Sequence, residues 1–528
     1  MDSFKNRVAF AKQIIFDIEN NKINSLRDIE LVQFDYCKKF SLTEVPTRPF
    51  ILSFVKKPSK KILGLLSIKP TRSLSGVQVI AVMLPPFKCP GKCVYCPSSF
   101  ENKKAPQSYT GFEPSTLRAQ RFDYDSYKIV SNRINQLDAT GNNAKKIELI
   151  FQGSSFTALP KKSQEKIVKS SIDAVTKKDS SSFLLSKKFA EISSRRIVGI
   201  TFETRPDLCS KKDVEQMLFL GGTRVELGVQ NPDNKIYKKI NRGHDVNSVI
   251  NSTRLLKDSG FKVLYHLMPG LPGSNYSIDL KNFRKIFSNS DFKPDMVKFY
   301  PCLVIKGTKL FSDWEKGNFV PMSEEKTIKL LTKLKSELPP WVRVMRVNRD
   351  IPSNIISGGI KKTNLRQLIE KQLVKEGKKC NCIRCREIGL FSRQNKIVDK
   401  NPKLKTIFYN SSKGKEVFIS MESKECLYGF ARLRKPFEPF VKQINDNTAI
   451  IRELHVYGKT LGVGEKDVDS TQHLGYGKTL IEEAERIAKE EFDSKKMVII
   501  SGLGVKEYYR KNFCYENDGT YVSKKLVN

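Results

Sequence analysis

Residues 89–97 read CPGKCVYCP and pack Cys89, Cys93 and Cys96 into eight positions, a C-x3-C-x2-C spacing. Three thiolates cannot close the four-coordinate, all-protein site of structural zinc or of a fully ligated iron-sulfur cube. One metal position is left for another ligand, which suits an iron-sulfur cluster with one free iron; a structural zinc knuckle is the alternative reading. A second trio, Cys380, Cys382 and Cys385 in KKCNCIRCRE, has C-x-C-x2-C spacing in a hydrophilic, basic stretch. It is a metal candidate whose fourth ligand the sequence does not name, with Cys209, Cys302 and His266 available; a second cluster and free surface thiols are the alternatives. A third pattern, Gln472, His473, Leu474, Gly475, Tyr476 and Gly477, spells Q-x-x-G-x-G ahead of Lys478 and a helix with well segregated faces, KTLIEEAERIAKEEF. Two glycines let backbone N–H groups approach a ligand closely, and the helix N-terminus behind them favours an anion such as a pyrophosphate. A helix-capping turn without a ligand is the alternative.

The elements that must position these residues follow from periodicity. Short apolar, β-branched runs at 77–84, 147–151, 197–202, 225–229, 263–268 and 296–303 suggest six strands. Helical spacing fills 114–137, 163–175, 211–220, 246–256 and 278–287. Alternation of strand and helix implies a parallel sheet. Many of the strands end in glycine, proline or a polar residue: Gly153, Glu203 before TRP, Gln230 before NP, and MPG at 268–270. In a β/α barrel those ends carry the chemistry, and the first strand runs directly into the cysteine loop. Glu226 and Gln230 share one strand face; a buried polar pair satisfied in the core is the alternative to a ligand contact. A strand at 450–456 precedes the glycine loop, another at 497–501 follows it, and YYRKNF comes next at 508–513.

A chain of 528 residues with 39% hydrophobic side chains supports two or three globular cores. Its start, MDSFKNRVAFAKQIIFDIE, carries acids among its apolar positions and is neither a signal nor a transit peptide. Apolar runs stop far short of a membrane span, and eleven cysteines without an export signal point to a reducing compartment, the cytoplasm. Net charge is +38, yet residues 450–528 hold 13 basic and 13 acidic side chains, so the whole excess sits in residues 1–449. Lys56–Arg72 has six cations and no acid. A polyanion is the expected partner; a generally lysine-rich surface would not segregate in this way.

The C-x3-C-x2-C spacing resembles that of radical S-adenosylmethionine (SAM) enzymes. This implies a 4Fe-4S cluster whose free iron chelates the amino and carboxylate groups of SAM and donates an electron, giving a 5'-deoxyadenosyl radical that abstracts hydrogen. The C-terminal order of strand, glycine loop, helix, strand and YYRKNF resembles the GNAT acetyltransferase fold, in which the loop holds the pyrophosphate of acetyl-CoA. KPTRSLSGVQVIAVM (69–83), QSYTGFEPSTLRAQRFDYD (107–125), TFETRPDLC (201–209), RVELGVQ (224–230), NRGHD (241–245), YHLMPGLPGS (265–274), VNRDIPS (347–353) and RELHVYG (452–458) join the two. From about Lys56 to the C-terminus the chain resembles the family of the Elongator catalytic subunit in its single-chain archaeal or bacterial form.

The resemblance implies an α/β fold: a partial (β/α)6 radical SAM barrel followed by a GNAT α/β domain, after a small helical basic N-terminal segment. The expected divisions are 1–68, tRNA-binding; 69–345, barrel; 346–395, a linker with a zinc loop at Cys380, Cys382 and Cys385; and 396–528, acetyl-CoA-binding. It implies a tRNA-modifying enzyme that forms 5-carboxymethyluridine at the wobble position. A radical on the acetyl-CoA methyl carbon would add to carbon 5, and thioester hydrolysis would follow. Cys89, Cys93 and Cys96 would hold the cluster. Gly153, Ser154, Glu203, Glu226 and Gln230 would meet SAM, although Ser154 stands where the family usually has glycine. Glu453, Leu454, His455 and residues Gln472 to Lys478 would hold acetyl-CoA, with Tyr508 and Tyr509 near the thioester; tyrosine there is also a common core filler. Lys69 and Arg72 would meet tRNA or CoA phosphate, or are simply solvated. Expected partners are tRNA through its anticodon stem-loop and acetyl-CoA, with a homodimer as the oligomer to test and no further Elongator subunit required. Two other functional classes remain open here, a lysine acetyltransferase with a structural cluster and a tRNA-binding scaffold with silent sites.

Overall fold

The computed structural model describes residues 3–55, 58–67, 76–97, 105–142, 144–393, 401–457 and 475–526. Lys69, Arg72, Gln472, His473 and Leu474 lie outside the described residues.

The N-terminal segment forms four helices, Phe4–Glu19, Leu26–Lys39, Arg48–Leu52 and Lys60–Leu66. Phe10, Ala11, Ile14 and Ile18 share one face of the first helix and bury against Ile51, Leu52, Ile62 and Leu66 in a core of their own. Ser25 and Asp28 cap the second helix reciprocally, satisfying two of its unpaired N–H groups.

The central sheet contains β1 (Val77–Met83), β2 (Lys146–Gln152), β3 (Arg196–Thr204), β4 (Arg224–Gln230), β5 (Lys262–Leu267) and β6 (Met296–Phe299). A short ribbon pairs β7 (Val304–Ile305) with β9 (Ile356–Gly358), and β8 (Arg343–Arg346) adds a seventh strand beside β6. The order is β1-β2-β3-β4-β5-β6-β8, every neighbour parallel. This is the expected barrel with one strand more, because RVMR is too short and polar to read as a strand alone. β6 ends at Phe299 although its apolar run reaches Leu303, since Pro301 has no N–H to give the ladder. The helix expected over 114–137 is two helices, Pro114–Gln120 and Ser126–Ala139, divided where Asp123 and Tyr124 take left-handed backbone conformations and Asp125 caps the second. On β4, Val225, Leu227 and Val229 face the packed helices, whereas the alternate residues Arg224, Glu226, Gly228 and Gln230 line the concave face. β1 and β8 are the sheet edges, so the lumen is open on one side, where Val79 is 48% exposed.

The second sheet contains β10 (Lys403–Ser411), β11 (Gly414–Glu422), β12 (Leu427–Lys435), β13 (Thr448–Val456), β14 (Lys496–Ile499), β15 (Glu516–Asp518) and β16 (Tyr521–Lys525). Its order is β10-β11-β12-β13-β14-β16-β15. β13 and β14 run parallel, and helix Tyr476–Glu490 packs Leu480, Ile481, Ala484, Ile487 and Ala488 into the core. Their pairing ends at Ile451 with Ile499, while β13 stays on β12 through Val456. From Arg452 onward β13 has no strand on its β14 side among the described residues.

Charges with no exposure join the two sheets. Arg452 bulges out of the β12–β13 register and reaches Asp295, at the start of β6, with two bonds of 2.8 and 2.6 Å, and Glu416 of β11 at 2.5 Å. Arg434 of β12 grips Asp258 at 2.9 and 2.6 Å and Glu416 at 2.8 Å. Lys257 adds contacts to Ser411 at 2.8 Å and Glu416 at 3.5 Å. Among the described residues no helix is long and apolar enough to cross a membrane.

Candidate functional site

The cysteine loop leaves β1 at the rim formed by the C-terminal strand ends. Gln107 braces it, accepting from the Cys89 N–H at 3.2 Å and donating to the Gly91 carbonyl at 3.2 Å. Val94 pairs with Ile240 and Asn241 donates to the Lys92 carbonyl, tying the loop to the turn that ends helix Asn234–Lys239. Arg242 brings its guanidinium 3.3 Å from the Cys93 sulfur and also donates to the Gly228 carbonyl. Arg205, clamped bidentately by Asp207, donates to the Arg242 carbonyl at 2.8 Å. A Cβ at position 91 would stand 2.1 Å from Arg205 Nη1, so the Gly of CPGKC is demanded by this approach. Burial by itself pushes the Cys93 thiol up; Arg242, with Arg205 behind it, reverses this and holds it below its ordinary value. Burial and the neighbouring Cys93 push Cys96 up to about 12.

Two side-chain groups bring three potential ligand atoms within 4.8 Å of one another, Cys380–Cys382–Cys385 and Glu203–Glu226–His266. Sulfurs around one tetrahedral ion at about 2.3 Å lie roughly 3.8 Å apart. The second cysteine trio fits a single ion on that measure. Cys89, Cys93 and Cys96 do not all come that close, as ligands on different irons of a cluster need not.

In the lumen, Glu226 accepts from His266 at 2.7 Å and is paired with Lys298, which also lies 3.6 Å from Glu203. Arg224 bridges Glu148 at 2.7 Å and Glu226 at 3.5 Å, and Tyr109 donates to Glu203 at 3.3 Å. Lys298 occupies the middle of the carboxylate group, where a cation would sit. Burial pushes Glu226 up, yet Lys298, His266 and Arg224 together hold it well below the carboxylate range. Glu226 Oε1, Gln230 Oε1 and Ser154 Oγ are buried with no hydrogen-bond partner among the described residues. Three unmet polar atoms around one rim fit a polar ligand. Glu226 is ion-paired within the lumen while Gln230 Oε1 is left unbonded among the described residues. Gly153 and Ser154 both have positive φ, 117° and 55°, so Ser154 keeps the conformation that suits glycine at about 1–2 kcal/mol of cost.

At the second sheet, Gly475 caps helix Tyr476–Glu490 with φ 76°, and among the described residues a Cβ there meets nothing within 4 Å. A Cβ on Gly477 would stand 2.9 Å from the Tyr508 hydroxyl, which brings that tyrosine to the glycine turn. Tyr509 instead is buried in the core beside Tyr515. Tyr476 packs on Tyr428, and Lys478 lies exposed on the first turn, 3.7 Å from Glu482. Glu453, Leu454 and His455 lie on β13 beyond its last pairing with β14. Glu453 accepts from Arg432 at 2.8 Å. His455 stacks on Phe430, its Nε2 is buried without a hydrogen-bond partner among the described residues, and burial with Arg343 holds its ring down to about 4, neutral near pH 7.

Cys382 is fully buried, while Cys380 and Cys385 are half-buried against the barrel core. None of the three residues available as a fourth ligand joins them: His266 is on Glu226, and Cys209 and Cys302 are buried elsewhere in the core. Sequence reasoning missed Arg242, Arg205, Gln107 and Lys298 as individual residues. The partners lie far apart in the chain, Arg242 and Cys93 by 149 positions and Lys298 and Glu226 by 72, so no local spacing signals them.

The Radical SAM superfamily description matches residues 83–282 and the Radical_SAM C-terminal domain matches residues 294–375. A tRNA uridine(34) acetyltransferase of Methanocaldococcus infernus is 47% identical over 91% of this chain and 92% of its own length. Elongator complex protein 3 of Dictyostelium discoideum is 40% identical over 96% and 92%, and the Homo sapiens protein 39% over 94% and 93%. The solved structure titled the archaeal Methanocaldococcus infernus Elp3 with N-terminus deletion superposes with a TM-score of 0.76 at 43% identity, covering 85% of this chain and 99% of that one. The identity extends across barrel, linker and second sheet alike, and on that ground the chain belongs to the family of the tRNA uridine(34) acetyltransferases and Elongator complex protein 3.

Proposed function

We propose that this chain modifies the wobble uridine of tRNA, building a carboxymethyl group on carbon 5 from acetyl-CoA by radical SAM chemistry. The observation that carries the reading is that one chain holds a three-thiol loop on a parallel half-barrel rim and a glycine cradle on a second sheet, fixed to each other by buried ion pairs. A 4Fe-4S cluster with SAM, when bound, supplies one-electron reduction and a carbon-centred hydrogen abstractor. Cys89, Cys93 and Cys96 hold the cluster, and Arg242 keeps Cys93 ready to bind as thiolate. Gly153, Ser154, Glu203, Glu226 and Gln230 orient SAM, supported by their unmet polar atoms at the rim. Gly475 and Gly477 admit the pyrophosphate of acetyl-CoA to the helix N-terminus. The unpaired β13 edge at Glu453–His455 offers backbone bonds to the amide arm of acetyl-CoA, much as an added strand would. Tyr508 closes the thioester end, and zinc at Cys380, Cys382 and Cys385 pins the linker. The basic surface positions tRNA by its phosphates, and the anticodon base enters the lumen through the open side. Both sites lie in one chain, so no other Elongator subunit is needed, and the reducing cytoplasm suits its thiols.

Anaerobic incubation of the reconstituted protein with dithionite, SAM, acetyl-CoA and tRNA tests this directly: digested tRNA should contain 5-carboxymethyluridine by mass spectrometry. Its absence while 5'-deoxyadenosine still forms would move the radical chemistry to another substrate. Gly475→Glu places a carboxylate in the open space before the helix and should abolish acetyl-CoA binding by calorimetry while leaving tRNA affinity intact; unchanged acetyl-CoA affinity would sink the cradle assignment. Affinity for tRNA should fall with salt by roughly 0.7 to 0.9 log units per log unit for each neutralised phosphate, and a flat response would mean the lysines are only solvated.

A further inference from the structure

Six arginines are buried among the described residues, and five of them lie against a carboxylate, as Arg205 does against Asp207 and Arg224 against Glu148. Such pairing is what a buried cation demands. The sixth, Arg242, has no carboxylate partner among the described residues; in that place stands the Cys93 sulfur, 3.3 Å from Nη1. Its Nη2 donates to the Gly228 carbonyl, and a Cβ at Gly228 would lie 2.9 Å from that nitrogen, so the glycine leaves room for the guanidinium. The Arg242 carbonyl accepts from Arg205 at 2.8 Å, which fixes the backbone from which the side chain reaches the loop. Two guanidinium nitrogens, Arg242 Nε and Arg205 Nη1, are buried here with no hydrogen-bond partner among the described residues, and Nη1 lies against Gly91 of the cysteine loop.

A 4Fe-4S core with three thiolates carries one net negative charge when oxidised and two when reduced. A fixed cation bonded to a ligand sulfur in a buried setting therefore stabilises the reduced form more than the oxidised one. Arginine keeps its charge at every working pH, so the effect involves no protonation step. We infer that Arg242 sets the reduction potential of the cluster at Cys89, Cys93 and Cys96, raising it through its N–H bond to the Cys93 sulfur and so easing the one-electron reduction that precedes SAM cleavage. This rests on the cluster reading of that loop. Arg242 acts through a ligand and not on the reacting atoms, which makes it a positioning residue behind the thiolate.

The test is a potentiometric titration of the full chain with its cluster reconstituted and SAM absent, followed by electron paramagnetic resonance of the reduced form. Occupancy and potential separate in this measurement, because the midpoint is read only from molecules that hold a cluster. Arg242→Met should need a more negative potential: at the wild-type midpoint its reduced-to-oxidised ratio should fall about tenfold, which is about 59 mV for one electron. Arg242→Lys keeps the charge and should recover roughly half of that shift or more. Arg242→Gln takes the place of the methionine variant if that one does not fold. A midpoint equal to wild type in Arg242→Met, or a lysine variant no closer to wild type than the methionine one, overturns the role of Arg242. A wild type that yields no reducible four-iron cluster overturns the cluster reading and this inference with it.

Discussion

A Cys93→Ala enzyme should form no 5-carboxymethyluridine, cleave no SAM and retain no stable iron-sulfur chromophore if Cys93 holds the proposed cluster. Three thiolates are the least that leaves a cube one free iron, and with two the cluster has a second open corner. Cys93 is also the thiol that the structure singles out electrostatically: Arg242 lies 3.3 Å from its sulfur, braced by Arg205 and Asp207. The loss should therefore be complete, down to the level of tRNA incubated without enzyme. Arg242→Met gives the graded comparison. It keeps all three thiols but removes the cation, so cluster content should fall, and the fall should lessen as pH rises and Cys93 ionises unaided. Carboxymethyluridine formed at an undiminished rate by Cys93→Ala would overturn the cluster assignment. Peptide acetylation surviving in a variant whose wild type modifies no tRNA would favour the acetyltransferase reading in its place.

Arg452→Met is expected to cost about 3–5 kcal/mol, because it strips two buried carboxylates, Asp295 and Glu416, of their closest cation. The remaining cations replace it only in part: Arg434 stays 2.8 Å from Glu416, but Asp295 is left with Arg432 at 3.6 Å and Lys257 at 3.8 Å. A natural reporter crosses the same interface, since Trp341 of the barrel stacks on Tyr409 of β10 with centroids 4.3 Å apart. With two tryptophans in the chain, fluorescence during urea unfolding should show an early transition in the variant that wild type lacks. Asp295→Asn combined with Arg452→Met should cost less than the two single changes summed, since the double variant leaves fewer uncompensated charges. Binding of SAM and of acetyl-CoA, measured separately, should persist while joint turnover falls. A loss below about 1 kcal/mol would place the interface energy in its apolar contacts instead.

Much of this was legible in order along the chain. The six runs of β-branched residues became β1 to β6, because strands of a helix-covered parallel sheet read as short, nearly continuous apolar runs. The thiol trios and the glycines at 475 and 477 were equally plain, since metal and phosphate sites draw their ligands from one short loop. Segregation of charge between residues 1–449 and 450–528 also needs only counting. The polar members of the strands were harder: no local pattern joins Glu226 to Lys298 and His266, which lie beside it.

What the amino-acid order determined by itself was the kind of chemistry and the elements that carry it, because ligand spacing and strand period are local properties. Tertiary structure alone decided which cations serve which thiols, that β8 joins the sheet, that Tyr508 faces the glycine turn while Tyr509 fills the core, and that Asp295, Glu416 and Arg452 lock two domains together. Arg452 lies 36 positions from Glu416 and 157 from Asp295, and a buried charge reveals its partner only once folding has taken water away from both.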